Sequence, residues 1–112
     1  MLFRSGAIGE LHYQDGDYAE AMTELRTGLL MAKQYGGDAH PETGNLLNIM
    51  GACQGKMGHW SEAAGYFKEA LFIARLKAQG DATHPEVQSI VANLNMVEQA
   101  IGRPSWPGQS GS

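Results

Sequence analysis

The sequence predicts an all-α fold built from repeated pairs of helices, and two observations carry this prediction. Residues of the same type recur 42 positions apart in one ordered series, as Gly16 and Gly58 do, and the motif His-Pro-Glu at 40–42 returns at 84–86. The apolar residues between these landmarks follow the spacing of one face of an α-helix. A repeat of this size is typical of a solenoid, in which each helical pair stacks on the next one.

The first unit is predicted to contain a helix A over about 5–15 and a helix B after the break at Gly16. Asp17 and Glu20 have the spacing of a capping box, in which the two residues bond to each other's backbone N–H groups at the start of a helix. The inner face of helix B carries Ala21, Leu25, Leu29 and Ala32, and the glycines at 36–37 end it.

The second unit repeats this plan, and its helix A begins at His40-Pro41-Glu42. Proline is favoured at the first helical position, and a carboxylate in the first turn interacts favourably with the helix dipole. Gly58 ends this helix, and helix B runs from near Trp60, predicted to pack at the end of the hairpin, to Gly80. Gly51 on helix A is expected to permit close approach of the two helices.

A third helix A is predicted from Pro85 to about Ile101, with no helix B after it. We expect residues 1–5 to be a non-native leader, because they run into the first helix without a cap or a proline, and repeats to be missing upstream. Residues 103–112, rich in Pro, Gly and Ser, are expected to be a disordered tail.

Composition excludes several classes of protein. The formal net charge of -4 argues against a nucleic-acid binder, which needs a basic face. The single Cys53 excludes an internal disulfide, and no apolar run reaches the ~18 residues of a membrane span. We therefore expect a cytoplasmic protein with neither a membrane nor a nucleic acid as its partner.

No group of residues has the spacing of a catalytic or metal site. The four histidines, His12, His40, His59 and His84, lack the short spacing of a metal motif. His40 and His84 precede proline at equivalent places in the repeat, which favours a capping or turn role. Cys53 lies at a packing position without a neighbouring base, which favours a buried structural thiol. We expect no enzymatic activity, no cofactor and no metal.

The pattern resembles the tetratricopeptide repeat family over about residues 6–102. The residues that carry the resemblance are Gly9, Gly16, Tyr18, Ala21 and Leu25 in the first unit and Leu47, Met50, Gly51, Gly58, Trp60, Ala63, Phe67 and Ala70 in the second. The usual repeat has about 34 residues. The longer unit here, 42 to 44 residues with a His-Pro start, resembles the kinesin-light-chain-like type. The resemblance implies a right-handed α-solenoid of about two and a half repeats and five helices, divided into 6–37, 41–80 and a terminal helix at 85–102.

The resemblance also implies a concave groove that is lined by the A helices and binds a peptide segment of a partner protein. The groove residues that it implies are Glu10, Tyr13, Gln14, Asn45, Asn48, Ile49, Ala52, Lys56, Ser89, Asn93, Met96 and Gln99. Amides are frequent in this set, and an amide can donate to and accept from a peptide backbone at once. The set lacks the cluster of cations with which related chaperone adaptors hold a C-terminal carboxylate.

These observations predict a scaffold for protein–protein interaction that is a fragment of a larger repeat protein. Two alternatives stay open. The chain is a structural or oligomerisation segment that associates with itself through exposed terminal repeats, or it is the regulatory arm of a larger multidomain protein.

Overall fold

The computed structural model describes residues 13–37 and 40–102. Within these ranges the chain forms four α-helices and no strand: α1 (Tyr18–Gly36), α2 (Pro41–Lys56), α3 (Trp60–Lys77) and α4 (Pro85–Ile101). The all-α prediction is confirmed, and α1 to α4 are the predicted helices B, A, B and A in that order. Tyr13 and Gln14 are also helical. The part of the predicted first helix A that precedes Tyr13, the predicted leader and the predicted tail lie outside the described residues.

The two A helices begin in the same way. Pro41 and Pro85 occupy the first helical positions, and the preceding histidines cap the helices. His40 Nδ1 accepts a hydrogen bond from the backbone N–H of Glu42 at 3.0 Å. His84 Nδ1 accepts one from the backbone N–H of Glu86 at 3.2 Å. Each bond satisfies one of the backbone donors that a helix leaves unpaired at its start. The capping role predicted for these histidines is confirmed.

Replacing His84 with alanine is expected to lower the free energy of unfolding by about 1 kcal/mol, because the Glu86 N–H loses its acceptor at the start of α4. His84→Asn is the matched control, since asparagine is a favoured capping residue and should retain most of the stability. Urea unfolding followed by circular dichroism measures both variants. Equal losses for alanine and asparagine would contradict a capping role.

The predicted capping box at the start of α1 is wrong. Asp17 occupies the N-cap position, but its side chain makes no capping hydrogen bond. Its backbone, at φ -87° and ψ 68°, lies outside the extended region from which a capping side chain reaches into the first turn. His59, at the equivalent position before α3, has φ -88° and ψ 71° and makes no capping bond either.

Glycines turn the chain into the two B helices. Gly16 and Gly58 have φ values of +86° and +81°, a region that residues with a side chain rarely adopt. Each also donates its N–H to the carbonyl oxygen three residues earlier, at 3.1 Å. The turn between helix A and helix B is therefore fixed by a glycine in the left-handed conformation rather than by a capping side chain.

Successive helices pack side by side, and α2 lies between α1 and α3. Its face towards α1 contributes Leu46, Met50 and Cys53 to one apolar cluster, which also contains Leu25. Its Leu47 belongs to a second cluster, with side chains of α3 and α4 that include Phe67, Ala70, Val87, Ile90 and Val97. Each helix thus buries apolar side chains against its neighbours in the chain, as stacked helical hairpins require.

Two glycines of α2 permit the close packing of α3. A Cβ atom on Gly51 would lie 2.8 Å from the ring of Phe67, and one on Gly44 would lie 2.9 Å from Cγ2 of Ile73. Both distances are shorter than a carbon–carbon contact allows. The predicted role of Gly51 in close helix packing is confirmed, and the structure adds Gly44 to the same contact.

Candidate functional site

A cleft of about 450 Å³ opens between α2, α3 and α4. Its floor lies where Gly51 of α2 meets Phe67 of α3, close to Val97 of α4, and all three residues are buried. Gly55 follows Gly51 by one helical turn, and a Cβ atom there would lie 3.5 Å from the Trp60 ring. Two aromatic rings of α3 therefore lie over a part of α2 that has no side chains.

The lining of the cleft is mainly apolar, with a few polar groups. Asn93 and Gln99 of α4 contribute amides, and Tyr13 contributes a phenol ring. Lys56 is the one charged residue among the described residues that line it. This combination of an apolar floor and a few polar groups is typical of a site that binds an organic ligand or a side chain of another protein.

Six of the predicted groove residues line this cleft: Tyr13, Ala52, Lys56, Asn93, Met96 and Gln99. The structure thus brings together residues from the end of the first helix A, the second unit and the terminal helix. Met96 is 64% exposed, so its side chain is available at the surface.

The other predicted groove residues lie elsewhere. Gln14, Asn45 and Ser89 are exposed outside the cleft, and Ile49 packs against the cluster between α1 and α2. Asn48 is half-buried, and its Oδ1 atom has no hydrogen-bond partner within the part of the chain that the structure describes. Glu10 lies outside the described residues.

Sequence reasoning missed the contribution of helix B to the cleft. Trp60 is predicted only to pack, yet it keeps 39% of its surface exposed and forms part of the cleft wall. Phe67, Gly51, Gly55, Val97 and Ala100 are also absent from the predicted set. The glycine pair one turn apart on α2, opposite two aromatic residues of α3, is a signal that could have indicated this wall.

The contacts of the described histidines and of Cys53 are those of residues that stabilise the fold. No three His, Cys, Asp or Glu side chains within residues 13–37 and 40–102 come close enough to hold a metal ion. His59 Nδ1 lies 2.7 Å from Oε1 of the buried Gln54. Cys53 is fully buried, and burial raises the pKa of its thiol to about 11. The predicted buried structural thiol is confirmed.

None of the four described helices combines the length with the apolar character that crossing a membrane requires. No curated protein matches the chain. A family model described as tetratricopeptide repeat matches residues 4–75, which is more than half of the chain. Repeats of this kind generally mediate protein–protein interaction and are generally not catalytic. The match and the stacked helical hairpins agree, and the chain belongs to the tetratricopeptide repeat family.

Proposed function

We propose that the chain is a protein–protein interaction module that binds a peptide segment of a partner in the concave surface of its A helices, α2 and α4. The observation that carries this proposal is the cleft of about 450 Å³, which is lined by six of the groove residues that the family resemblance implies. Stacked helical repeats form extended concave surfaces of this kind. We propose a protein or a peptide as the ligand, since the net charge of -4 disfavours a nucleic acid.

The lining of the cleft supports a peptide ligand. The aromatic and aliphatic side chains around Trp60, Phe67 and Met96 suit one apolar side chain of the partner. The amides of Asn93 and Gln99 can each donate to and accept from a peptide backbone. Because Lys56 is the one charged group among the described lining residues, charge selects the ligand only weakly.

The proposal also assigns the chain to one type of tetratricopeptide repeat. We place the chain with the kinesin-light-chain-like repeats, whose units of about 42 residues would stack as a right-handed solenoid over 6–37, 41–80 and 85–102. The starts of equivalent helices support this assignment. The B helices begin 42 residues apart, at Tyr18 and Trp60, and the A helices begin 44 apart, at Pro41 and Pro85.

The experiment starts from an array of random peptides, from which binders of the wild-type chain are chosen. Met96→Asp is expected to weaken their binding by tenfold or more, on the order of what burial of one apolar side chain contributes. The matched control is Leu30→Asp, because Leu30 is equally exposed, at 68% against 64% for Met96, and lies outside the cleft.

Fluorescence titration measures the affinities, and far-UV circular dichroism verifies that both variants keep their helices. In a Trp106→Phe background Trp60 is the one remaining tryptophan, so binding in the cleft should shift its emission to shorter wavelength. If neither Met96→Asp nor Leu30→Asp changes the affinity for the peptides, the cleft is rejected as the peptide site.

A further inference from the structure

The outer face of α3 carries an apolar stripe that no described residue covers. Phe72 and Leu76 are 62% and 52% exposed, and their spacing of four residues places them on the same side of the helix. Neither residue lines the cleft. Exposed apolar side chains that adjoin one another mark interaction sites more often than isolated ones do.

Gly65 continues this stripe towards the start of α3. At about 100° per residue, Gly65 lies within about 20° of Phe72 around the helix axis. A Cβ atom on Gly65 would meet nothing within 4 Å. A glycine inside a helix costs about 1 kcal/mol relative to alanine. Packing within the described chain therefore does not require this glycine, whereas close approach of another helix would.

Charges of opposite sign border the stripe on its two edges. The same angular spacing places Lys68 and Arg75 along one edge and Glu62 and Glu69 along the other. All four side chains are exposed, and none makes an ion pair or hydrogen bond within residues 13–37 and 40–102. One edge of the face is thus cationic, the other is anionic, and both are available to a partner.

We propose that α3 pairs with α3 of a second copy of this chain, in parallel, about a two-fold axis that runs along the two helices. A rotation about this axis brings the cationic edge of each copy against the anionic edge of the other, so that Lys68 faces Glu69 of the partner subunit. Antiparallel pairing would instead bring edges of the same charge together. Charges beside an apolar seam set the orientation of paired helices in this way.

The remaining features of the face fit the same arrangement. In a two-fold interface the same patch of both copies meets itself. Phe72 and Leu76 of the two copies would cover each other, and Gly65 would let the helix axes approach closely near the start of α3. The stripe and the cleft share no residue, so the dimer interface and the cleft are separate surfaces of the chain.

Sedimentation equilibrium of the whole chain over a range of concentrations tests self-association. We expect the mass to rise with concentration from the monomer value of 12.1 kDa towards twice that value. Phe72→Glu should weaken dimerisation by on the order of tenfold or more, because the new carboxylate would be buried in the interface beside the same carboxylate of the second copy. Leu30→Glu is the matched control, because Leu30 is equally exposed but lies on α1. A chain that stays monomeric throughout, or a dimer that Phe72→Glu does not weaken, would overturn the proposal.

Reversal of the charged edges tests the orientation. The double variant Glu62→Lys with Glu69→Lys makes both edges cationic and should abolish the dimer. Adding Lys68→Glu and Arg75→Glu restores opposite edges and should restore it. Antiparallel pairing predicts no such rescue, since like edges meet before and after the full reversal. A fourfold variant that fails to dimerise while keeping its helical circular dichroism would reject parallel pairing.

Discussion

Replacing Phe67 with alanine is expected to lower the free energy of unfolding by about 3–5 kcal/mol. The Phe67 side chain is only 3% exposed, and it belongs to the apolar cluster that joins α2, α3 and α4. Its removal leaves a cavity at the floor of the cleft, where three helices meet and collapse is hindered. Natural domains are stable by only about 5–15 kcal/mol, so this single change removes a large share of the total. Urea unfolding measures the loss.

The contact between Phe67 and Gly51 can be measured in a double-mutant cycle. Gly51→Ala places a Cβ atom 2.8 Å from the Phe67 ring, and overpacking of this kind costs about 1–3 kcal/mol. The gain of about 1 kcal/mol from better helix propensity leaves a net loss of about 0–2 kcal/mol. In a Phe67→Leu background the smaller side chain should remove most of the clash.

Gly65→Ala is the matched control for this cycle, because it makes the same chemical change where a Cβ atom meets nothing within 4 Å. At a protein concentration too low for self-association it should raise stability by about 0.5–1 kcal/mol. An equal cost of Gly51→Ala with Phe67 and with Leu at position 67 would show that the two residues do not constrain each other.

Most of the helices could be predicted, because the residues at which they begin and end are set by local chemistry. His-Pro at 40–41 and at 84–85 begins a helix through the fixed φ of proline and an acceptor on the histidine ring, and both starts are observed. The capping box at Asp17 failed because the spacing of Asp17 and Glu20 does not reveal the backbone angles at the start of the helix. The path of the chain out of the Gly16 turn sets the backbone angles of Asp17, and at those angles its side chain does not cap α1.

Only half of the residues that line the cleft could be predicted from the sequence. The resemblance to the repeat family implies which residues of helix A face the groove, and these include Asn93 and Met96, which line the cleft. It does not tell where a helix B crosses that face of helix A. The cleft wall formed by Trp60 and Phe67 depends on how closely α3 approaches α2, which is a property of packing between helices rather than of either sequence segment alone.

Cys53 is expected to react with a thiol reagent on the order of a thousandfold more slowly in the native chain than in the unfolded chain. Its side chain is 0% exposed, so the reagent does not reach the sulfur in the folded chain. Burial also raises the pKa of the thiol to about 11, so little of the reactive thiolate is present near neutral pH. Reaction therefore requires local or global opening, whose population follows the stability of the core. The release of a coloured thiolate from an aromatic disulfide, with and without urea, measures the two rates.

Phe67→Ala provides the comparison for this reaction. Because it lowers the free energy of unfolding, it should accelerate the labelling of Cys53 even though the two residues belong to different apolar clusters. An unchanged rate in that variant would mean that Cys53 is reached by a local opening between α1 and α2 instead of by cooperative unfolding of the stacked helices.

The raised thiol pKa also makes stability depend on pH in a stated direction. A group whose pKa is higher in the folded chain stabilises that chain fully below its unfolded pKa, and this contribution is lost as pH rises through the folded pKa. For Cys53 the window runs from about pH 9 to about pH 11, and the loss is on the order of 2 kcal/mol. Cys53→Ala lacks the titrating thiol but keeps every other group that ionises in this range. The stability of the wild type should therefore fall more steeply than that of the variant between these two pH values, whereas parallel curves would show that the thiolate is tolerated in the packed core.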